Sequence, residues 1–146
     1  MAELDFIYKR KSIRDYKNEP VPKEDILKML EAATYAPSPK HQQNWHFVVV
    51  QNQEIVDEMA AAVTKSHEYI ASFAKDEEEK EKFMKTLPYY LNFQRSACAV
   101  LVYAKEYFMI EEKILRRSNT DEKLIEMMKA PQAGAQGIGA AVENFL

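Results

Sequence analysis

The stretch Ala36-Pro37-Ser38-Pro39-Lys40-His41-Gln42-Gln43-Asn44-Trp45-His46-Phe47-Val48-Val49-Val50 decides the fold class. Residues 36–44 are polar. They carry two prolines, which fix φ and withhold a backbone donor, so they read as a stiff loop. Residues 45–50 are aromatic and β-branched and read as a strand. The unbroken valines point to a strand covered on both faces. A chain with few glycines and many Ala, Glu, Lys, Leu and Met favours helices elsewhere, so the chain reads as helix-rich with a strand here.

Upstream, Ile26, Leu27, Leu30 and Ala33 recur at helical spacing over Lys23–Tyr35. Glu24 and Asp25 suit the positive end of that helix, and Pro37 stops it. A turn with Pro20 and Pro22 precedes it. Downstream, residues 53–74 read as a helix with Ile55, Met59, Val63, Ile70 and Phe73 as its apolar stripe. The charge run Asp76–Lys82 is a solvated turn or helix face. A helix with Phe83 and Leu87 is broken or kinked by Pro88. Tyr89, Tyr90 and Phe93 then cluster, either as core or as the wall of a flat-ligand pocket. Residues 98–104 form the second strand. Residues 106–129 are helical with a break at Ser118-Asn119, where Thr120 can cap the second piece and Pro131 ends it. The last helix starts near Ala133 and buries Ile138, Val142, Phe145 and Leu146. All three glycines, Gly134, Gly137 and Gly139, sit at its start, where they permit tight packing or a helix beginning.

Near the N-terminus a short helix over residues 3–10, with Leu4, Ile7 and Tyr8 on one face, delivers Arg10-Lys11-Ser12-Ile13-Arg14. In extended backbone Arg10, Ser12 and Arg14 share one side, with Ile13 turned inward. Two guanidinium forks flanking a hydroxyl suit a phosphate or another compact anion. A solvated basic turn is the plainer reading of such a pentapeptide alone.

The chain of 146 residues has a net charge of −3, which disfavours a general nucleic-acid binder. Its single cysteine, Cys98, rules out an internal disulfide and reads as a buried hydrophobe. No apolar run is long enough to span a bilayer, and the chain reads as cytoplasmic. His41, His46 and His67 lack metal-ligand spacing and read as polar surface or loop residues. No P-loop signature occurs. The chain ends inside an apolar helix with only two clear strands. It therefore reads as one domain over residues 1–146, incomplete at its C-terminus, whose missing strands lie beyond Leu146 or come from another chain.

Three segments in order resemble the FMN-dependent nitroreductase family. The first is Arg10-Lys11-Ser12-Ile13-Arg14 with Tyr16 and Val21-Pro22. The second is Ala36 to Phe47, against a family pattern of Ala-Pro-Ser, two residues, Asn, one residue, Gln-Pro-Trp, one residue, Phe. The third is Ile138 to Leu146, like the opening of the family's long central helix. The resemblance implies an α+β nitroreductase-like sandwich, a mixed or antiparallel sheet flanked by helices, and a homodimer with non-covalent FMN at its interface. It implies that Arg10, Lys11, Ser12 and Arg14 hold the phosphate, ribityl chain and pyrimidine edge. It implies that Pro37, Ser38, Pro39, His41 and Gln43 lie beside the flavin of the partner subunit. His41 stands where the family has Asn, and Asn44 where it has Pro. Gln136 is a further candidate. Tyr89, Tyr90 and Phe93 are candidates for the substrate pocket. The implied activity is NAD(P)H oxidation by a ping-pong cycle, with a nitroaromatic, quinone or similar small acceptor. The alternative is a protein that binds or sequesters flavin without turnover.

Overall fold

The structure is a computed structural model that describes residues 4–17, 19–129 and 133–146. In chain order the helices and strands are α1 (Asp5–Lys9), α2 (Lys23–Thr34), β1 (Trp45–Val50), α3 (Gln53–Ala71), α4 (Glu77–Met84), α5 (Leu87–Tyr90), β2 (Ala99–Ala104), α6 (Ile110–Arg117), α7 (Glu122–Lys129) and α8 (Ala133–Phe145). Short 3-10 turns lie at Pro39–His41 and Asn92–Arg95. The contacts divide the chain into two compact units. Residues 1–20 and 50–99 make one; residues 21–49 and 100–146 make the other.

In the first unit α3 is the spine. Asn52 caps it by accepting the Glu54 N–H at 2.8 Å. Its buried face is Val56, Ala60, His67 and Ala71. This departs from the expected stripe: Ile55, Ile70 and Phe73 are exposed. Small residues one position further on let the α4–α5 segment approach closely, so the buried face is rotated by about one residue, roughly 100°. His67 is accordingly a core residue, 5% exposed, and not the surface histidine that the sequence suggested. Asp76 caps α4 by accepting the Glu79 N–H at 2.8 Å, and Glu79 accepts the Lys75 N–H at 2.8 Å. The charge run is thus a capped, solvated helix. Pro88 sits in the first turn of α5 and opens a helix rather than breaking one. Along α1, Leu4, Ile7 and Tyr8 are all exposed, against the expected apolar face.

In the second unit β1 and β2 pair in a two-stranded sheet. The Lys105 N–H just after β2 donates at 2.6 Å to the Asn44 carbonyl just before β1, so the strands run antiparallel. Burial along β1 alternates, with Trp45 buried and His46 and Val48 exposed, instead of both faces being covered. The core is Ala33, Ala36, Trp45 and Ala141, with Phe47, Ile138, Ala140 and Phe145 packed on it. Helices α2 and α8 pair closely, and the Asn144 side chain donates to the Ala32 carbonyl at 3.3 Å. Small side chains make this approach possible: Ala33 and Ala141 are wholly buried. Ile138, Val142 and Phe145 are half-buried as expected in kind, whereas Leu146 is exposed. The break between α6 and α7 falls at Asn119, whose φ of 49° such a residue tolerates. Asp121, not Thr120, caps α7, accepting the Lys123 N–H at 3.0 Å. Pro131 lies outside the described residues.

Candidate functional site

The basic pentapeptide follows α1 directly. At Arg10, just past the end of the helix at Lys9, the backbone turns extended, with φ −59° and ψ 133°. Residues 10–17 then run as irregular, solvent-exposed chain. Ile13 is 62% exposed, so the expected inward anchor is absent here. Among the described residues, Lys11, Ser12 and Arg14 make no hydrogen bond or ion pair within this chain. Their donors are available to an anion from outside it.

The loop from Pro37 to Asn44 is held in an unusual shape. Lys40, His41 and Gln43 have φ of 54°, 52° and 44°, the left-handed region that side chains disfavour. Four anchors impose it. Lys40 Nζ donates to both carboxylate oxygens of Glu111 at 2.8 and 2.7 Å. Gln42 Nε2 donates to the Phe108 carbonyl at 2.7 Å, and the Phe108 N–H donates to Gln42 Oε1 at 2.8 Å. Ser38 Oγ accepts the Gln43 N–H at 2.7 Å, which leaves its hydroxyl proton to donate elsewhere. The Ser38 carbonyl accepts the His41 N–H at 2.9 Å. Hydrogen bonding from Lys40 holds the Glu111 carboxyl below the usual glutamate range. Beneath the loop lies α8. A Cβ at Gly137 would stand 3.1 Å from Pro39 Cδ and 3.4 Å from the Pro37 carbonyl oxygen. Only glycine lets the helix carry the two prolines this closely.

Asn44, where the resembling family has proline, is 4% exposed. Its Nδ2 donates to the Lys105 carbonyl at 3.2 Å and its Oδ1 is buried without a partner among the described residues. A Cβ at Gly134 would meet that Nδ2 at 2.9 Å and Tyr107 Cβ at 2.8 Å. Asn44, Tyr107, Met109, Met128 and Ile138 line a cavity of about 670 Å³ in this unit. At its lining Glu112 accepts from Lys129 and also from Arg116, and Arg116 in particular keeps its carboxyl below the usual range.

The aromatic segment is in the other unit. Tyr89 and Tyr90 are exposed and Phe93 is half-buried. The expected cluster of these three is not seen, since among the described residues no ring contact joins them. Tyr90 packs instead on His67, with centroids 5.3 Å apart, and His67 stacks on Phe83 at 4.0 Å. His67 Nε2 lies 3.1 Å from the Phe83 carbonyl and 3.2 Å from Thr86 Oγ1. Cys98 is half-buried, and burial pushes its thiol up, away from nucleophilic use.

Sequence reasoning passed over Gln42, Lys40 and Glu111. Their partners are more than 60 positions apart, and no local spacing shows them. His67 was findable, because it completes a helical period with Val56, Ala60 and Ala71.

The sequence model described as the Nitroreductase family matches residues 7–146. A protein of Archaeoglobus fulgidus named "Putative NADH dehydrogenase/NAD(P)H nitroreductase" is 46% identical over 61 residues, which is 42% of this chain and 35% of that protein. The chain therefore matches only about a third of that relative's length. The crystal structure of a BluB-like flavoprotein from Clostridium difficile superposes with a TM-score of 0.91 at 34% identity, covering 99% of this chain and 68% of that one. A nitroreductase of Bacteroides fragilis solved with bound FMN superposes with a TM-score of 0.64 at 22% identity, covering 97% and 60% of the respective chains.

Proposed function

The chain belongs to the nitroreductase family, and from that membership we propose that it is the flavin-binding part of an FMN-dependent NAD(P)H oxidoreductase. The observation that carries the reading is the exposed, irregular Arg10–Arg14 segment, where Lys11, Ser12 and Arg14 have no bond among the described residues. Three cations and a hydroxyl match a phosphomonoester in charge and donor type. Bound non-covalently, FMN would supply two-electron transfer from NAD(P)H to a nitroaromatic, quinone or similar small acceptor, each entering the same pocket in turn.

The chain's own residues then bind and orient. Arg10, Lys11 and Ser12 hold the phosphate and ribityl chain. Arg14 places a fixed cation at the pyrimidine edge, which favours negative charge there. Pro37, Ser38, Pro39, His41 and Gln43 flank the ring in a second copy of the chain. The left-handed loop offers that ring a rigid wall and the Ser38 hydroxyl a donor. Tyr89, Tyr90 and Phe93 are candidate walls for a flat acceptor. Residues 1–146 act as one domain on this reading, since the family match runs through both units. Exposed Ile55, Tyr69, Ile70 and Phe73 on and just after α3 support a homodimer, which would cover such a stripe. A single cysteine and no disulfide suit a reducing, cytoplasmic setting.

The test is a visible spectrum of the purified chain, with added FMN, followed by anaerobic titration with NADH. Flavin bands that bleach on NADH support the oxidoreductase. Bound flavin that NADH leaves oxidised points to sequestering without turnover. No bound flavin rejects the reading.

A further inference from the structure

We propose that Gln42 is a positioning residue for the flavin, acting through the left-handed loop that it clamps. The proposal rests on the flavin reading above and adds a residue outside the set assigned to the ring there.

Lys40, His41 and Gln43 all have positive φ, and none is glycine. Such conformations persist only where the surroundings over-determine them. The Gln42 carboxamide both donates to and accepts from the backbone of Phe108, at 2.7 and 2.8 Å, like one rung of an antiparallel ladder. A two-point pairing fixes orientation as well as distance. The Lys40–Glu111 pair anchors the residue two positions before Gln42 to the next helix along. His41 lies between these two anchors and is exposed. Its backbone bond to Ser38 and the Gln43–Ser38 bond close the loop from inside. With Gln42 released, residues 41–43 are free to relax toward ordinary backbone. Pro39 stays seated on Gly137, so the change is confined to the segment carrying His41 and Gln43.

Gln42→Met keeps the side chain's length and removes both hydrogen bonds. The expected result is FMN binding weakened about tenfold, with shifted visible flavin bands and a shifted flavin reduction potential. The Tm of the FMN-free protein should change little, because Gln42 is only half-buried. Lys40→Gln, which opens the second anchor at an exposed site, should shift the bands the same way by less. Wild-type binding with unaltered affinity, bands and potential in Gln42→Met sinks the proposal alone. A wild-type chain that takes up no FMN sinks the functional reading and the proposal with it. Lost binding in both variants together with a collapsed Tm shows a role in folding and also overturns it.

Discussion

Arg14 and Gly137 make contrasting demands on their positions. Arg14 is exposed and makes no bond among the described residues. Arg14→Leu should leave the Tm of the FMN-free protein unchanged and weaken FMN binding by roughly tenfold to a hundredfold, the scale of a charged hydrogen bond. A fluorescence titration of FMN measures it. Gly137 leaves little room for a side chain, since a Cβ there would stand 3.1 Å from Pro39 Cδ. Gly137→Ala should cost about 1–3 kcal/mol in urea unfolding, because the new Cβ overpacks against Pro39 and the Pro37 carbonyl. Gly139→Ala should instead stabilise by up to about 1 kcal/mol, because its Cβ meets nothing within 4 Å and alanine is the better helix former. The sequence placed all three glycines at the start of one helix. It could not tell a packing glycine from an idle one, because that depends on Pro39 and Tyr107, far away along the chain.

Elements defined by period and punctuation are legible in the residues themselves. The prolines bound α2 and the polar loop, and the valines announce β1. Which face each helix buries is less legible. Hydrophobicity puts Ile55, Ile70 and Phe73 on the buried side of α3 and the turn after it, but the close partner is a helix segment that only small residues and His67 admit. Helix ends behave similarly. Asp121→Ala should destabilise by about 1 kcal/mol through loss of the α7 cap, and Thr120→Ala by less, read as a difference in thermal unfolding. The Lys40–Glu111 anchor adds a pH dependence of known sign. The Glu111 pKa is lowered in the folded chain, chiefly by the Lys40 hydrogen bond. Its contribution is therefore present above the ordinary glutamate value and is lost as pH falls through the depressed one. NMR titration of the Glu111 carboxyl should show its midpoint rising in Lys40→Gln. The Tm difference between wild type and that variant should narrow as the solution is acidified through this range.

At the scale of the whole molecule, the candidate site was legible as three motifs in order, and its geometry was not. The sequence could point to Pro37, Ser38 and His41, but the clamp that shapes their loop comes from residues 108 and 111. The proposed homodimer belongs to this scale too. Sedimentation should give twice the 17.0 kDa chain mass, and Ile70→Lys with Phe73→Lys should return it to the single-chain value. A dimer undisturbed by both charges would place the interface elsewhere. The pairing of α2 with α8 has a further consequence, for synthesis. Ala32 and Asn144 meet across 112 positions. At about 5–20 residues per second, α2 leaves the ribosome roughly 6–20 s before its partner exists. Through that interval Ala33, Ala36 and Trp45 have no α8 to cover them, and a nascent chain of this kind should depend on chaperone capture until Ala141 emerges.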